Sequence, residues 1–349
     1  MFRMIAILFG ISLLIASCGS GTGGSYELVY SMEPAAPETG TPDGTSGPPA
    51  RPKIALVPKG TGIAYFDYAA EGAREAAEDL GVELIYEGPP GADAELQIET
   101  IERLIDRKVD LIAVSANDPD RLVPVLRKAM DQGIKVVTWD ADTEPEGRQL
   151  FVNMVDPELL GRHLLDTLAL TMGEKGNYAI LTSSFSAANN NEWLEWIKTQ
   201  QRDYYPDLKL VDTVATDDDL EKAYEVASRL LDDHPELDGI IGNSSVGPPG
   251  AAKAVREAGK PGRVKVVGLS SPNLMREYLL DGSAQMSTLW SPKKLGYLTV
   301  TLANGLLRGK TPADGELVEG VGHIRVAGDT VIMGEPLDFT AENVGQYDF

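Results

Sequence analysis

The residues best able to do chemistry stand where apolar runs break off into polar loops. Lys59 closes the first run and is followed by Tyr65 and Phe66. Later breaks carry Ser115-Ala116-Asn117-Asp118, Trp139-Asp140-Ala141-Asp142, Ser183-Ser184 with Asn189-Asn190-Asn191, Asn243-Ser244-Ser245, Ser270-Ser271 and Trp290. Carboxylates accept hydroxyl protons, amides both donate and accept, and aromatic faces cover C–H surface. That inventory suits a polyol. Charge strengthens a hydrogen bond, so Asp140 is the expected anchor and Lys59 a donor to ring or hydroxyl oxygens. The candidate ligand-binding set is Lys59, Tyr65, Phe66, Asn117, Asp140, Asp142, Asn189, Asn190, Asn243, Ser245, Ser270 and Trp290. Asn and Ser at such positions equally suit helix caps and turns, and Asp142 also suits shaping its turn. Trp193 and Trp196 share a helix face and read as core. Asp217-Asp218-Asp219 reads as an N-cap matched to the helix dipole.

Signs of catalysis are weak. There is no Gly-x-Ser-x-Gly, P-loop or His-Glu-x-x-His. His163, His234 and His323 are far apart and read as solvated or capping. Tyr65 stands where a dinucleotide loop needs its third glycine. Asp140-x-Asp142 lacks the further oxygen ligands a divalent ion requires. We expect no enzyme, no cofactor and no metal.

These loops need a scaffold. From Pro52 onward, short β-rich runs alternate with runs of helical period. Ile54–Pro58, Val82–Tyr86, Asp110–Ser115 and Lys135–Trp139 read as strands buried on both faces. Tyr68–Leu80, Ala94–Lys108 and Arg121–Gln132 lie between them as helices. A second series follows Asp156-Pro157, with strands at Tyr178–Thr182, Leu208–Val214, Gly239–Gly242 and Val264–Leu269. Its helices run near 189–204, 218–233 and 249–259. Alternating βα units imply parallel sheets with right-handed crossovers, hence an α/β chain of two doubly wound parallel-sheet lobes. In the tail, Met286–Trp290 suits a strand, Pro292–Arg308 a helix and 321–333 a hairpin. We assign 52–153 plus about 291–320 to the N-terminal lobe, and 154–290 plus about 321–349 to the C-terminal lobe, joined by several hinge crossings.

The 349 residues accommodate two such units, and 43% hydrophobic residues supply their cores. With 53 acidic against 31 basic side chains the formal net charge is −22, which phosphate backbones would repel, so nucleic acid is not an expected partner. The single cysteine, Cys18, follows a short basic start and an apolar run from Ile5 to Ala16, too short for a permanent span. Ile15-Ala16-Ser17-Cys18-Gly19 resembles a bacterial lipobox. We expect residues 1–17 to be a lipoprotein signal peptide, Cys18 to carry lipid, and 18–51, rich in Gly, Ser, Thr and Pro, to be a flexible linker.

Ile54–Lys59, Val114–Asp120, Thr138–Thr143 with Pro145–Arg148, Ser271–Arg276 and Glu342–Phe349 together resemble periplasmic sugar-binding proteins of the ribose-binding type, over nearly all the chain from Pro52. Within these, the chain is similar to the branch of rhamnose-binding proteins and autoinducer-2 receptors. The resemblance implies two α/β lobes joined by three hinge segments and closing on sugar. In autoinducer-2 receptors a lysine after the first strand and the aspartate of a Thr-Trp-Asp segment bind ligand, matching Lys59 and Asp140. Those receptors use Asp-Gln where this chain has Asn189-Asn190, and proline and alanine where it has Asn243 and Ser245. Asn189, Ser244–Gly247 and Leu295-Gly296-Tyr297 lean to the rhamnose side. The expected function is an extracytoplasmic, lipid-anchored, monomeric solute-binding protein that delivers a monosaccharide to an ABC permease. The alternatives are an autoinducer-2 receptor or a sugar sensor feeding a signalling kinase. A repressor of the same fold would begin with a helix-turn-helix, where this chain has a secretion signal, and a glycosidase would need opposed carboxylates.

Overall fold

A computed structural model describes residues 51–349; Cys18, the signal peptide and nearly all of the linker lie outside the described residues. The alternation read from the sequence is realised as β1 (Lys53–Val57), α1 (Ala64–Leu80), β2 (Glu83–Tyr86), α2 (Ala94–Asp106), β3 (Leu111–Val114), α3 (Val123–Asp131), β4 (Lys135–Trp139) and β5 (Leu150–Asn153). The second series comprises α4 (Pro157–Met172), β6 (Gly176–Thr182), α5 (Ala188–Tyr204), β7 (Leu208–Ala215), α6 (Leu220–Asp233), β8 (Leu237–Gly242), α7 (Gly247–Glu257), β9 (Lys265–Leu269), α8 (Pro272–Asp281) and β10 (Met286–Leu289). The tail adds α9 (Pro292–Leu307), β11 (Leu317–Val318), β12 (Gly322–His323), β13 (Arg325–Ala327), β14 (Thr330–Ile332) and β15 (Leu337–Phe339).

The strands form two principal sheets, ordered β13-β14-β5-β4-β3-β1-β2 and β15-β10-β9-β8-β6-β7. Each is larger than the four-stranded halves expected. The additions include β5, a short run after a proline turn, and segments of the tail. The hairpin lies within the expected 321–333, but its strands are β13 and β14, and β14 pairs with β5. Residues 325–332 therefore extend the first sheet, and β15 pairs with β10 in the second. The open backbone edge of β5, rather than hydrophobic pattern, decides that placement.

Apolar runs with no alternation read as strands because both faces are covered. Ile54, Leu56, Leu111 and Ala113 face one core, while Ala55, Val57, Ile112 and Val114 face another, beneath α2 and α3. On the first of these faces α1 presents Ala69, Gly72, Ala73 and Ala76 to α9, and the two helices touch backbone to backbone. A Cβ added at Gly72 would stand 1.8 Å from the Lys293 carbonyl oxygen, and one at Gly296 would stand 1.8 Å from that of Ala69. Helix α9 is thereby locked to the first lobe.

The chain passes between the sheets three times: from β5 to α4, from β10 to α9, and from β14 to β15. On the second-lobe side of these crossings three residues meet. His163 of α4 contacts Asp338 of β15 (Nε2 to Oδ1, 2.8 Å), and the Thr288 hydroxyl of β10 donates to the same carboxylate. His163 is thus a tie between crossings rather than the solvated or capping residue expected. Its hydrogen bond to Asp338 raises its pKa above the usual 6.5 against the opposing effect of burial. Asp338, although burial alone would raise it, is held below 3.8 by bonds from His163 and Thr288.

Two predictions follow from this packing. Gly72→Ala and Gly296→Ala each lower stability by about 1–3 kcal/mol through overpacking, read as a fall in thermal midpoint. The His163 contribution is complete below its unfolded pKa and lost as pH rises through the folded one, whereas the Asp338 contribution is lost as pH falls toward and below 3.8. His163→Gln therefore costs more thermal stability near pH 5.5 than near pH 8.5, and equal costs at the two would refute the tie.

Candidate ligand-binding site

Doubly wound sheets bind ligands beyond the carboxyl ends of the strands, where the strand order reverses. In the first lobe that reversal falls between β1 and β3, and in the second between β6 and β8. The loops leaving β1 and β8 carry Lys59 and Asn243-Ser244-Ser245, and the first turn of α5, after β6, carries Asn189-Asn190. A cavity between the lobes is lined by Lys59, Tyr65, Phe66 and Asp140 from the first lobe. Asn189, Asn190, Trp193, Asp218, Ser244, Ser245, Leu269 and Leu289 line it from the second, with Trp290 at the crossing into α9. Of the twelve candidate residues, eight converge here: Lys59, Tyr65, Phe66, Asp140, Asn189, Asn190, Ser245 and Trp290.

Lys59 is only 4% exposed, and its Nζ donates across the cleft to Asn189 Oδ1 at 3.0 Å. Asp140, also 4% exposed, accepts from Ser115 Oγ at 2.6 Å. Burial raises the Asp140 pKa; Lys59, Ser115 and the nearby Tyr65 hydroxyl oppose that rise. Its backbone is left-handed (φ 62°) just past β4, a conformation that Asp tolerates better than most residues. The turn aims the carboxylate inward while Asp142, two residues on, points away.

Tyr65 accepts from Trp290 Nε1 at 2.9 Å, and burial together with Asp140 raises its hydroxyl pKa well above 10.0. Around this bond the aromatic rings stack edge to face: Tyr65 with Phe66 at 5.1 Å, Tyr65 with Trp290 at 6.1 Å, and Phe66 with Trp139 at 5.7 Å. Trp193 tilts against Trp290 at 6.0 Å. Leu269 and Leu289 continue this apolar wall, which can take the C–H face of a ring opposite the charged groups.

Four candidates do not line the cavity. Asn117 lies beneath it, its Nδ2 donating to the Lys59 carbonyl at 2.8 Å while its own N–H bonds Gln97 Oε1 at 2.9 Å. Asn243 interlocks with Asn190: its Nδ2 donates to the Asn190 carbonyl at 2.8 Å, and Asn190 Nδ2 returns a bond to the Asn243 carbonyl. Ser270 Oγ donates to the Ser245 carbonyl at 2.7 Å. Asp142 is taken up by Arg148 in a bidentate pair at 2.8 and 3.0 Å and by the Thr143 N–H, so its carboxylate serves the turn. Asn117, Asn243 and Ser270 hold the backbone whose side chains do face the cavity.

Five lining residues stand outside the candidate set, among them Ser244, which the sequence offers only as a neighbour of Ser245. Trp193 was read as core; it is buried and also forms wall. Asp218 was read with its neighbours as part of a helix cap, but Asp219 alone caps, accepting from the Lys222 N–H. Leu269 and Leu289 fall within the expected strands Val264–Leu269 and Met286–Trp290, with no polar group to single them out. Buried Gln97, bonding the carbonyls of Pro58 and Ser115 at 2.9 and 2.8 Å, fastens β1 to β3 below the site. A glutamine on the apolar face of α2 was the available signal.

Among the described residues there is no cluster of His, Cys, Asp and Glu that could hold a metal, and no helix long and apolar enough to cross a membrane. The model of a periplasmic binding protein domain matches residues 54–311. A D-ribose/D-allose-binding protein of Pseudomonas aeruginosa is 28% identical over 282 residues, covering 76% of this chain and 85% of that protein. An ABC transporter solute-binding protein of Clostridium phytofermentas, solved with bound L-rhamnose, is 30% identical with a TM-score of 0.81, covering 85% of this chain and 98% of that one. LsrB of Clostridium saccharobutylicum in complex with AI-2 is 28% identical with a TM-score of 0.81, covering 85% of this chain and all of that one. The cleft, the twin sheets and these likenesses agree: the chain belongs to the periplasmic binding protein family.

Proposed function

We propose that this protein is the lipid-anchored extracytoplasmic receptor of an ABC importer, and that it captures a neutral monosaccharide of the rhamnose-like deoxyhexose kind. One observation carries the reading: polar residues from both lobes, separated by up to 231 positions from Lys59 to Trp290, converge on one cavity with an apolar wall on its other side. Hydroxyls would meet Lys59, Asp140, Asn189 and Ser245, and a ring's C–H face or methyl group would meet Trp193, Trp290, Leu269 and Leu289. The rhamnose-bound relative favours this ligand class. The pairing of Lys59 with Asp140 in one cavity, alongside the AI-2-bound relative, favours autoinducer-2 as the second reading.

Capture works by closure. Each lobe holds only part of the ligand's shell, so the closed form alone satisfies both halves, and sugar shifts the population by its preference for that form. The Lys59–Asn189 bond and a Ser186 hydroxyl donating to the Asn117 carbonyl at 3.3 Å both cross the cleft in this closed arrangement. The closed monomer would then present its surface to the permease, near which acylation of Cys18 keeps it.

A thermal-shift screen against L-rhamnose, D-ribose, D-allose, D-xylose and AI-2 tests the ligand. A deoxyhexose is expected to raise the melting temperature most, by mass action; a screen in which only AI-2 does so selects the second reading. Binding should also change tryptophan fluorescence through Trp193 and Trp290. Asp140→Asn is expected to weaken the best sugar about tenfold to a hundredfold, the scale of a hydrogen bond to a charged group. Because burial raises the Asp140 pKa, its ionised form opposes folding once pH exceeds the ordinary carboxylate range, so the unliganded variant should melt no lower at neutral pH. Undiminished affinity in that variant rejects Asp140 as the anchor. Cys18→Ala should move the protein from the membrane fraction to the soluble one.

A further inference from the structure

The Asp217-Asp218-Asp219 run divides its work. Asp219 caps α6, and Asp217 pairs with Lys222 Nζ. Asp218 takes neither role. Its backbone is left-handed (φ 52°), and the side chain lines the cavity from the second lobe, opposite Lys59 and Asp140. Asp217 shares that conformation, which Asp tolerates better than most residues, and the double left-handed turn sends the two side chains to different partners. Beside it stands Ser244, 5% exposed and lining the same cavity, whose hydroxyl faces the Asp218 carboxylate but makes no hydrogen bond of good geometry to the protein. A buried hydroxyl of that kind calls for a partner, and a ligand in the cavity supplies one.

We infer that Asp218, with Ser244, is the second lobe's acceptor for ligand hydroxyls and the residue that restricts the cavity to neutral polyols, excluding sugar acids. The inference rests on the sugar-binding reading above and deepens it. Two carboxylates on opposing walls, Asp140 and Asp218, face a single ammonium, Lys59. Hydroxyls of a neutral sugar can donate to both, whereas a sugar acid would bring a third carboxylate into a site with one cation.

Asp218 is pushed up to about 6, chiefly by burial; Lys59 and the Ser244 hydroxyl pull it down, while Asp140 and Asp217 push it further up. The groups facing it are therefore Lys59 from the loop after β1, Asp140 from the end of β4, Ser244 after β8 and its own neighbour Asp217. If ligand hydroxyls donate to the ionised form, binding releases a proton wherever Asp218 is protonated in the free protein. Affinity then falls as pH drops below about 6.

Calorimetry on the full chain with L-rhamnose, D-ribose, D-allose, D-glucuronate and D-galacturonate, at about pH 5 and about pH 7.5, tests this. The best neutral sugar is expected to bind several-fold more weakly at the lower pH, with the uronates weak at both. Asp218→Asn keeps the shape and tolerates left-handed backbone, and its unliganded melting temperature checks the fold. That variant should bind the neutral sugar roughly tenfold more weakly at the higher pH, lose most of the pH dependence, and narrow the margin over the uronates. Ser244→Ala should weaken the same sugar and move the fall in affinity to higher pH, because a hydroxyl that lowers the Asp218 pKa is lost. A variant at position 218 with the wild-type affinity and pH profile overturns the inference and leaves the sugar-receptor reading standing. So does a wild-type affinity that is equal at the two pH values. A wild-type protein that binds none of the neutral sugars defeats that reading and this inference together.

Discussion

A lysine shut away from water at the meeting line of two lobes governs this structure. Lys59 Nζ reaches Asn189 across the cleft, with the carboxylates of Asp140 and Asp218 within its electrostatic reach. A buried charge is tolerable only with partners, and those partners come from both sheets. Neither lobe alone assembles the set. The Asn243 Oδ1 atom stays buried without a protein partner even here. Bringing the lobes together and pairing that lysine are thus one electrostatic problem.

The surrounding fold keeps that problem well posed. Gln97 and Asn117 tie the loop after β1 to the end of β3, fixing where Lys59 starts. The Asn190–Asn243 exchange and the Ser270–Ser245 bond do the same for the second lobe. Each lobe meets the cleft as a rigid rim. The three crossings link the rims, and one of them carries Trp290 directly into the cavity wall. Cavity wall and hinge geometry therefore share a residue, so under the proposed function occupancy would couple to lobe position directly. The small residues of α1 and α9 prevent the helix that follows Trp290 from absorbing that motion.

Strand ends bearing Lys59, Asp140, Asn189 and Ser245 were legible as a site because a parallel sheet puts all its carboxyl ends on one side. Uninterrupted apolar strands announced helices on both faces. Other features had no local signature. Asp142 and Asp140 differ little by residue type and spacing; their opposite orientations follow from the left-handed turn at Asp140 and from Arg148 six residues past Asp142. Three consecutive aspartates carry three tasks, and only the tertiary neighbours distinguish the cap, the ion pair and the cavity residue. Trp193 is core by periodicity and wall by position, because at the rim of a closed cleft the core and the site share atoms.

From its sequence alone this chain was bound to form two doubly wound lobes with polar loop tips, since hydrophobic period and turn chemistry act over a few residues and are written locally. Which tips meet, which sheet takes the 325–332 hairpin, and where two carboxylates face one lysine depend on contacts between residues far apart in the chain. Those contacts are fixed by packing and by the demand that buried polar groups find partners, and they exist only once both lobes have closed on each other.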